Sequence, residues 1–166
     1  SNEVLVAERG LHAVVTLNRP EKRNPLPYRP GDGLLAVLDA LARKPAVRAV
    51  VLTGAGKAFC SGLDLDALQT LQQATPEENR KDSEEIRAFF EAVRAFPKPL
   101  IAAVNGPAVA GGAGLLLVCD LVLVAQPAHL RFSEVAVGFV PALVAVYLRR
   151  RVGEAAVARE TCAFPA

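Results

Sequence analysis

The sequence is poor in the residues that build disulfide frameworks and metal sites. It contains only three cysteines and two histidines among 166 residues. Cys60, Cys119 and Cys162 are odd in number and show no Cys-x-x-Cys spacing. Cys60 and Cys119 lie in apolar sequence, where a free thiol behaves as a small hydrophobe. We therefore expect no disulfide framework and no metal, and we expect thiols suited to a reducing cytoplasm.

An excess of charge of one sign is also missing. The net charge is +2, and lysines and arginines are scattered except for the run Arg149-Arg150-Arg151. We interpret that run as a solvated helix face, with phosphate binding as the alternative. This balance argues against nucleic acid or a membrane surface as the partner.

No segment has the pattern of a signal peptide or a membrane span. The first ten residues include acidic residues and lack the basic-then-apolar form of a signal peptide. The apolar region 100–125 is interrupted by Asn105, Pro107 and Asp120, which favours a buried strand–loop–helix–strand unit.

Hydrophobic periodicity predicts strands that alternate with helices. The length of 166 residues suits one domain with a real core. Alternation of this kind is typical of an α/β layered domain with buried, largely parallel strands. The predicted strands are Val4–Glu8, Ala13–Leu17, Ala49–Thr53, Leu100–Val104 and Leu121–Ala125, and the predicted helices are Leu34–Ala42, Leu65–Leu71, Pro76–Phe96, Gly111–Cys119 and Ala142–Arg151.

Two glycine-rich segments are the candidates for chemistry. Gly54–Leu65 follows one predicted strand and Asn105–Gly114 follows another. Each would place backbone N–H groups at the carboxyl edge of a strand, and a helix N-terminus adds the positive end of its dipole. The alternative is that these glycines only permit tight turns and close helix packing. Neither segment is a phosphate-binding P-loop or a GxGxxG motif.

The two segments belong to a longer series of motifs along the chain. These are Asn18–Asn24, Ala49–Gly54 with Phe59–Leu65, Pro99–Gly106 with Ala110-Gly111-Gly112 and Cys119-Asp120, and Phe132–Glu134 with Gly138–Pro141. In this order they resemble the enoyl-CoA hydratase/isomerase (crotonase) family, and the similarity extends from about Val4 to Gly153.

The resemblance implies a crotonase-like α/β fold, the Clp/crotonase spiral of ββα units, that binds an acyl-CoA thioester. It implies that the amides of Ser61 and Gly111 form an oxyanion hole, since two preorganised donors stabilise charge on a thioester oxygen. No cofactor is expected, because coenzyme A is part of the substrate. The positions implied to contact substrate and CoA are Lys22, Arg23, Ala58, Ser61, Gly62, Leu63, Asp64 and Gly111. Lys22 and Arg23 are equally well explained as ordinary exposed loop charges.

Acid–base chemistry points to one glutamate. Hydratases of the family often use two, and Gly114 occupies the first of these positions here, whereas Glu134 occupies the second. One carboxylate in an apolar pocket can serve as both acid and base. The alternative is that Glu134 caps a turn. We interpret Asp120 as structural, Asp64 as a loop organiser and His129 as a surface residue.

The resemblance therefore predicts hydration of a 2-enoyl-CoA. The alternatives are an enoyl-CoA isomerase or a catalytically weak acyl-CoA-binding member. A Clp-type serine protease is disfavoured, because the helix at Gly111 begins with glycine where that enzyme needs serine. We interpret residues 1–166 as the crotonase-like core, with the C-terminal helical trimerisation region missing. With that region present we expect a homotrimer or a dimer of trimers.

Overall fold

The computed structural model describes residues 3–27, 33–64, 69–70, 73–132, 142–155 and 157. The strands are β1 Val4–Arg9, β2 His12–Leu17, β3 Ala49–Gly54, β4 Leu100–Val104, β5 Ala108–Val109, β6 Leu121–Val124 and β7 Leu130–Arg131. The helices are α1 Leu34–Ala42, α2 Pro76–Arg94, α3 Gly111–Val118 and α4 Ala142–Val152, with a short 3-10 helix at Pro20–Lys22.

The main sheet has five strands in the order β1-β2-β3-β4-β6. The β1–β2 pair is an antiparallel hairpin, and the pairs β2–β3, β3–β4 and β4–β6 are parallel. This confirms the prediction of a largely parallel sheet. Because parallel strands end at the same edge, the loops after β3 and β4 lie next to each other.

Alternating residues of the central strands form the core. Val50 and Leu52 of β3 and Ala102 of β4 are completely buried. Helix α2 is amphipathic, with Phe89, Phe90 and Val93 buried. Their burial anchors α2 against neighbouring helices, since Phe90 contacts Tyr147 of α4 and lies beside Gly114 of α3.

Ends of elements are fixed by side chains, some of them local and some from distant parts of the sequence. At the start of α2, Thr75 and Glu78 form a capping box, each side chain bonding the backbone amide of the other. The Asp120 carboxylate accepts a hydrogen bond from the Leu100 amide at 2.8 Å, as expected of a structural residue. Arg151 donates to the carbonyl oxygens of Leu117, Cys119 and Asp120 at the end of α3, so it is not a purely solvated residue.

The expectation of buried strands is wrong for β6. All four of its residues are exposed, with Leu121 at 59% and Leu123 at 65%. The strand lies at the open edge of the five-stranded sheet, where nothing among the described residues pairs with its outer side. Val146 and Val152 of α4, both 51% exposed, likewise present apolar surface to solvent.

Candidate active site

The two glycine-rich segments run side by side. The Phe59 amide donates to the Pro107 carbonyl at 3.0 Å, and the Val109 amide donates to the Cys60 carbonyl at 2.9 Å. Cys60 and Ala108 thereby form a parallel β-bridge. The second segment also pairs with β7 through β5. Hydrogen bonds between backbone groups therefore hold the two loops next to each other without help from side chains.

Close backbone contact explains two of the glycines. A Cβ atom added to Gly106 would lie 2.1 Å from the Lys57 carbonyl oxygen. One added to Gly112 would lie 2.2 Å from the Cys60 carbonyl oxygen. Both neighbours are backbone atoms that cannot rotate away. The packing interpretation of the glycines therefore holds at Gly106 and Gly112.

Gly62 and Gly111 also lie next to each other across the two segments. A Cβ on Gly62 would lie 3.2 Å from the Gly111 nitrogen and 2.9 Å from the Val109 carbonyl oxygen. Gly62 also has a φ of 84°, a left-handed conformation that favours glycine. No side chain therefore separates the Gly62 backbone from the Gly111 amide.

The Gly111 amide lies at the start of a helix. Gly111 is the first residue of α3, and among the described residues its N–H has no acceptor. Ala110 precedes it with φ 51° and ψ −121°, a combination that is strained for a residue with a Cβ. The helix dipole and the unpaired amides of the first turn make this position attractive to negative charge.

The Ser61 amide is already occupied. It donates to the Asn24 carbonyl oxygen at 3.3 Å, and the Ser61 hydroxyl donates to the Lys22 carbonyl oxygen at 3.3 Å. This corrects the expectation that Ser61 supplies an oxyanion donor, because its N–H has an acceptor within the chain. The next amide whose N–H has no acceptor among the described residues is that of Leu63.

Sequence reasoning missed the central role of Asn24. This side chain is 1% exposed. Its Nδ2 donates to the carbonyl oxygens of Ala55 and Ala58, each at 2.9 Å, and its Oδ1 accepts from the Arg19 amide at 2.9 Å. Asn24 also has a φ of 54°. The only signal was its place in the motif Asn18–Asn24, and its function is to hold two loops together.

Asn105 supports the same turn from the other side. Its Oδ1 accepts from the Gly54 amide at 3.1 Å, and its Nδ2 donates to the Gly56 carbonyl oxygen at 3.0 Å. Two asparagines thus satisfy backbone groups of the turn that follows β3. A turn whose polar groups are paired in this way is held in one conformation.

The expected CoA-contact residues lie around this junction. Asp64 pairs with Arg19 at 3.2 Å and with Lys22 at 3.4 Å, which fits its interpretation as a loop organiser. The Lys22 side chain remains 42% exposed. Ala58 is buried, and Arg23 adopts a left-handed conformation with φ 60°. The structure therefore brings together Lys22, Arg23, Ala58, Ser61, Gly62, Leu63, Asp64 and Gly111 from three stretches of sequence.

The thiol nearest the junction is unsuited to nucleophilic chemistry. Burial raises the pKa of Cys60 from 9.0 to about 12, although a hydrogen bond from the Gly62 amide opposes this rise. Since the thiolate is the nucleophile, Cys60 is inert near neutral pH. Among the described residues, no three His, Cys, Asp or Glu side chains come together as they would around a metal ion.

Of the two positions at which hydratases of the crotonase family often have a glutamate, the structure describes position 114 but not position 134. Gly114 is buried inside α3, and a Cβ there would lie 2.8 Å from Cγ2 of Val144 and 3.1 Å from Cζ of Phe90. Apolar side chains therefore occupy the space that a longer residue at 114 would need. Glu134, the predicted acid/base, lies outside the described residues.

No helix in the described ranges is both long enough and apolar enough to cross a bilayer.

Comparison with known proteins places this geometry in a family. A sequence profile of the enoyl-CoA hydratase/isomerase family matches residues 8–164. A Thermus thermophilus protein named as an enoyl-CoA hydratase is 54% identical over 149 residues, which are 90% of this chain and 59% of that protein.

Solved structures agree with this sequence match. A Legionella pneumophila protein described as an enoyl-CoA hydratase/isomerase (crotonase) superimposes with a TM-score of 0.88 and 33% identity over 98% of this chain and 62% of its own. An enoyl-CoA hydratase from Polaromonas gives a TM-score of 0.86 and 32% identity over 95% of this chain and 62% of its own. The chain thus spans about 60% of the length of these relatives. It has the crotonase fold and belongs to the enoyl-CoA hydratase/isomerase family.

Proposed function

We propose that this chain forms the core of an enzyme that adds water to a 2-enoyl-CoA thioester. The amides of Leu63 and Gly111 would donate hydrogen bonds to the thioester oxygen. The observation that carries the proposal is the approach of Gly62 to Gly111, with the Gly111 nitrogen 3.2 Å from the position of a Gly62 Cβ. Both amides lack an acceptor among the described residues.

The reaction needs such donors because its intermediate carries negative charge. When water attacks C3 of the enoyl group, the electrons of the double bond move through C2 and the carbonyl carbon onto the thioester oxygen. Two fixed N–H groups stabilise that enolate without reorganising solvent. Loss of one such donor typically costs roughly 3–4 kcal/mol of barrier.

Glu134 would provide the proton transfers in this proposal. Its carboxylate takes a proton from the attacking water as the C3–O bond forms. The resulting carboxylic acid then returns that proton to C2 as the enolate collapses, so the net change is addition of one water. The packing of Gly114 against Val144 supports a mechanism with one carboxylate, because there is no room for a second acid at that position.

Substrate binding would use the surface around the junction. Lys22, 42% exposed, and Arg23 would face the phosphates of coenzyme A. The backbone of residues 58–64 would contact the remainder of the CoA moiety. The same proposal places the enzyme in the cytoplasm. With the C-terminal helical region present, it would assemble as a homotrimer or a dimer of trimers, and light scattering would measure the assembly.

Binding and turnover of the chain should be measured separately. Hydration appears as loss of the absorbance of a conjugated 2-enoyl thioester. Isomerisation would instead appear as gain of that absorbance from a 3-enoyl-CoA. Tight binding of acyl-CoA without either change would favour the catalytically weak alternative over the hydratase.

The substitution Glu134→Gln tests the proposed acid/base. It should abolish turnover and leave acyl-CoA binding within about twofold, since the amide keeps the size of the side chain but cannot accept a proton from water. Unchanged turnover in Glu134→Gln would remove Glu134 from the mechanism.

A further inference from the structure

Leu26 connects the loop that follows β2 to the first of the two glycine-rich segments. Its amide donates to the Gly62 carbonyl oxygen at 2.7 Å. Pro25 and Pro27 flank it and have no N–H, so Leu26 carries the one amide donor in this tripeptide. Its side chain is only 4% exposed. The backbone of Leu26 is therefore fixed to Gly62 by a short hydrogen bond in a buried setting.

This hydrogen bond controls the direction of a neighbouring amide. No cis peptide occurs among the described residues, and in a planar trans peptide the C=O and N–H point in opposite directions. Holding the Gly62 carbonyl toward Leu26 therefore directs the Leu63 N–H away from Leu26. Gly62 alone would not fix this plane, because a glycine at φ 84° has several accessible backbone conformations.

The Leu26 side chain contacts the other segment. Its Cδ2 lies 3.2 Å from the position that a Cβ on Gly111 would take. Leu26 thus touches the region of both amides, one through its backbone and the other through its side chain. The 4% exposure leaves its side chain little freedom to move out of this position.

We infer that Leu26 is a positioning residue of the oxyanion hole, which sets the direction of the Leu63 amide and the place of Gly111. This inference rests on the proposed function, because it assigns a role within that same pair of donors. Leu26 does not contact reacting atoms in this assignment. It acts through Gly62 and Gly111, so its effect should fall on the chemical step and not on binding of the CoA moiety.

The test compares Leu26→Ala with a matched truncation in the core. Leu38 of α1 is 3% exposed, so Leu38→Ala removes the same atoms from an equally buried place away from the site. Leu26→Ala should lower kcat about 10- to 100-fold with KM within about twofold, because small misplacements of oriented groups are costly to catalysis. Leu38→Ala should lower stability but leave kcat within about twofold.

A spectroscopic readout separates positioning from loss of fold. A conjugated thioester bound in an oxyanion hole is polarised, which moves its absorption to longer wavelength. This shift should shrink in Leu26→Ala, persist in Leu38→Ala and return in Leu26→Met, whose side chain again reaches Gly111. An equal loss of kcat and of the shift in both alanine variants would overturn the inference.

Failure of the proposed function looks different. In that case the unsubstituted chain would bind no enoyl-CoA or would produce no shift. If the unsubstituted chain shows turnover and the shift, and Leu26→Ala matches it in both, only the role of Leu26 is refuted. If Leu26→Ala does not fold, Leu26→Met and Leu26→Ile replace it in the test. The inference is supported if the absorption shift is smaller than in the unsubstituted chain for Leu26→Ile but not for Leu26→Met. It is refuted if both variants show the same shift as the unsubstituted chain.

Discussion

Replacing Asn24 by alanine should destabilise the chain more than any exposed substitution. The change removes hydrogen bonds to the carbonyls of Ala55 and Ala58 and from the Arg19 amide, each 2.9 Å long. A buried hydrogen bond contributes roughly 1 kcal/mol net. Asn24 also has φ 54°, a left-handed conformation that costs alanine roughly 1–2 kcal/mol. The expected loss in the free energy of unfolding is therefore about 4–5 kcal/mol.

Two further substitutions at the same position separate the causes. Asn24→Gly removes the same hydrogen bonds but tolerates the left-handed backbone, so it should be about 1 kcal/mol less destabilised than Asn24→Ala. Asn24→Asp keeps the size but turns an acceptor toward the carbonyl oxygens of Ala55 and Ala58. It should be at least as destabilised as the alanine variant, because no donor then faces those oxygens.

Denaturant unfolding followed by far-ultraviolet circular dichroism measures these differences. Asn79→Ala is the control, since among the described residues that side chain makes one long hydrogen bond, 3.4 Å to the Ala74 carbonyl oxygen. It should change stability by about 0.5 kcal/mol or less. A loss below about 1 kcal/mol in Asn24→Ala, or wild-type stability in Asn24→Asp, would refute the reasoning that Asn24 holds the two loops.

Three other substitutions or conditions give sharp expectations. Ala110→Gly should stabilise the chain by about 1 kcal/mol, because relief of strain at φ 51° outweighs the added freedom of the unfolded glycine; a loss in thermal unfolding would contradict this. Gly114→Ala should cost about 1–3 kcal/mol, since its Cβ would meet Val144 Cγ2 at 2.8 Å, and the double variant with Val144→Ala should recover part of that loss. Burial raises the pKa of Cys60 and of Cys119 from 9.0 to about 12, so the unfolded chain ionises first as pH rises. Below pH 9.0 these thiols should not affect the free energy of unfolding. Between pH 9.0 and about pH 12 it should fall by about 1.4 kcal/mol per pH unit for each thiol. A variant with alanine at both positions should lack this decrease.

Local patterns in the sequence were enough to predict most elements of the fold, but not the two-residue strands β5 and β7. The predicted helix Leu34–Ala42 and strand Leu100–Val104 have the observed bounds, and α2 ends at Arg94 where Phe96 was expected. Of the predicted helix Leu65–Leu71, the described residues Gln69 and Thr70 are helical. These elements were predictable because the spacing of apolar residues within a short stretch of sequence indicates whether that stretch is a helix or a strand.

Burial of β6 was not predictable in the same way. Its run of Leu121–Val124 matches a buried parallel strand in composition, but all four residues are exposed. Whether an apolar strand is covered depends on what packs on its faces and pairs with its edge, and the sequence of the strand itself contains no information on either.

The candidate active site was likewise predictable only in part from the sequence. The sequence by itself determined the family, the glycine positions and Gly111 at the start of a helix, because motifs and their spacing are local. Only the tertiary structure decided that the Ser61 amide donates to Asn24, whereas the Leu63 amide has no acceptor among the described residues. It also decided that Leu26 contacts both Gly62 and Gly111. The physical reason is that an amide donor is available only if no distant carbonyl reaches it, and such contacts depend on how the folded loops meet.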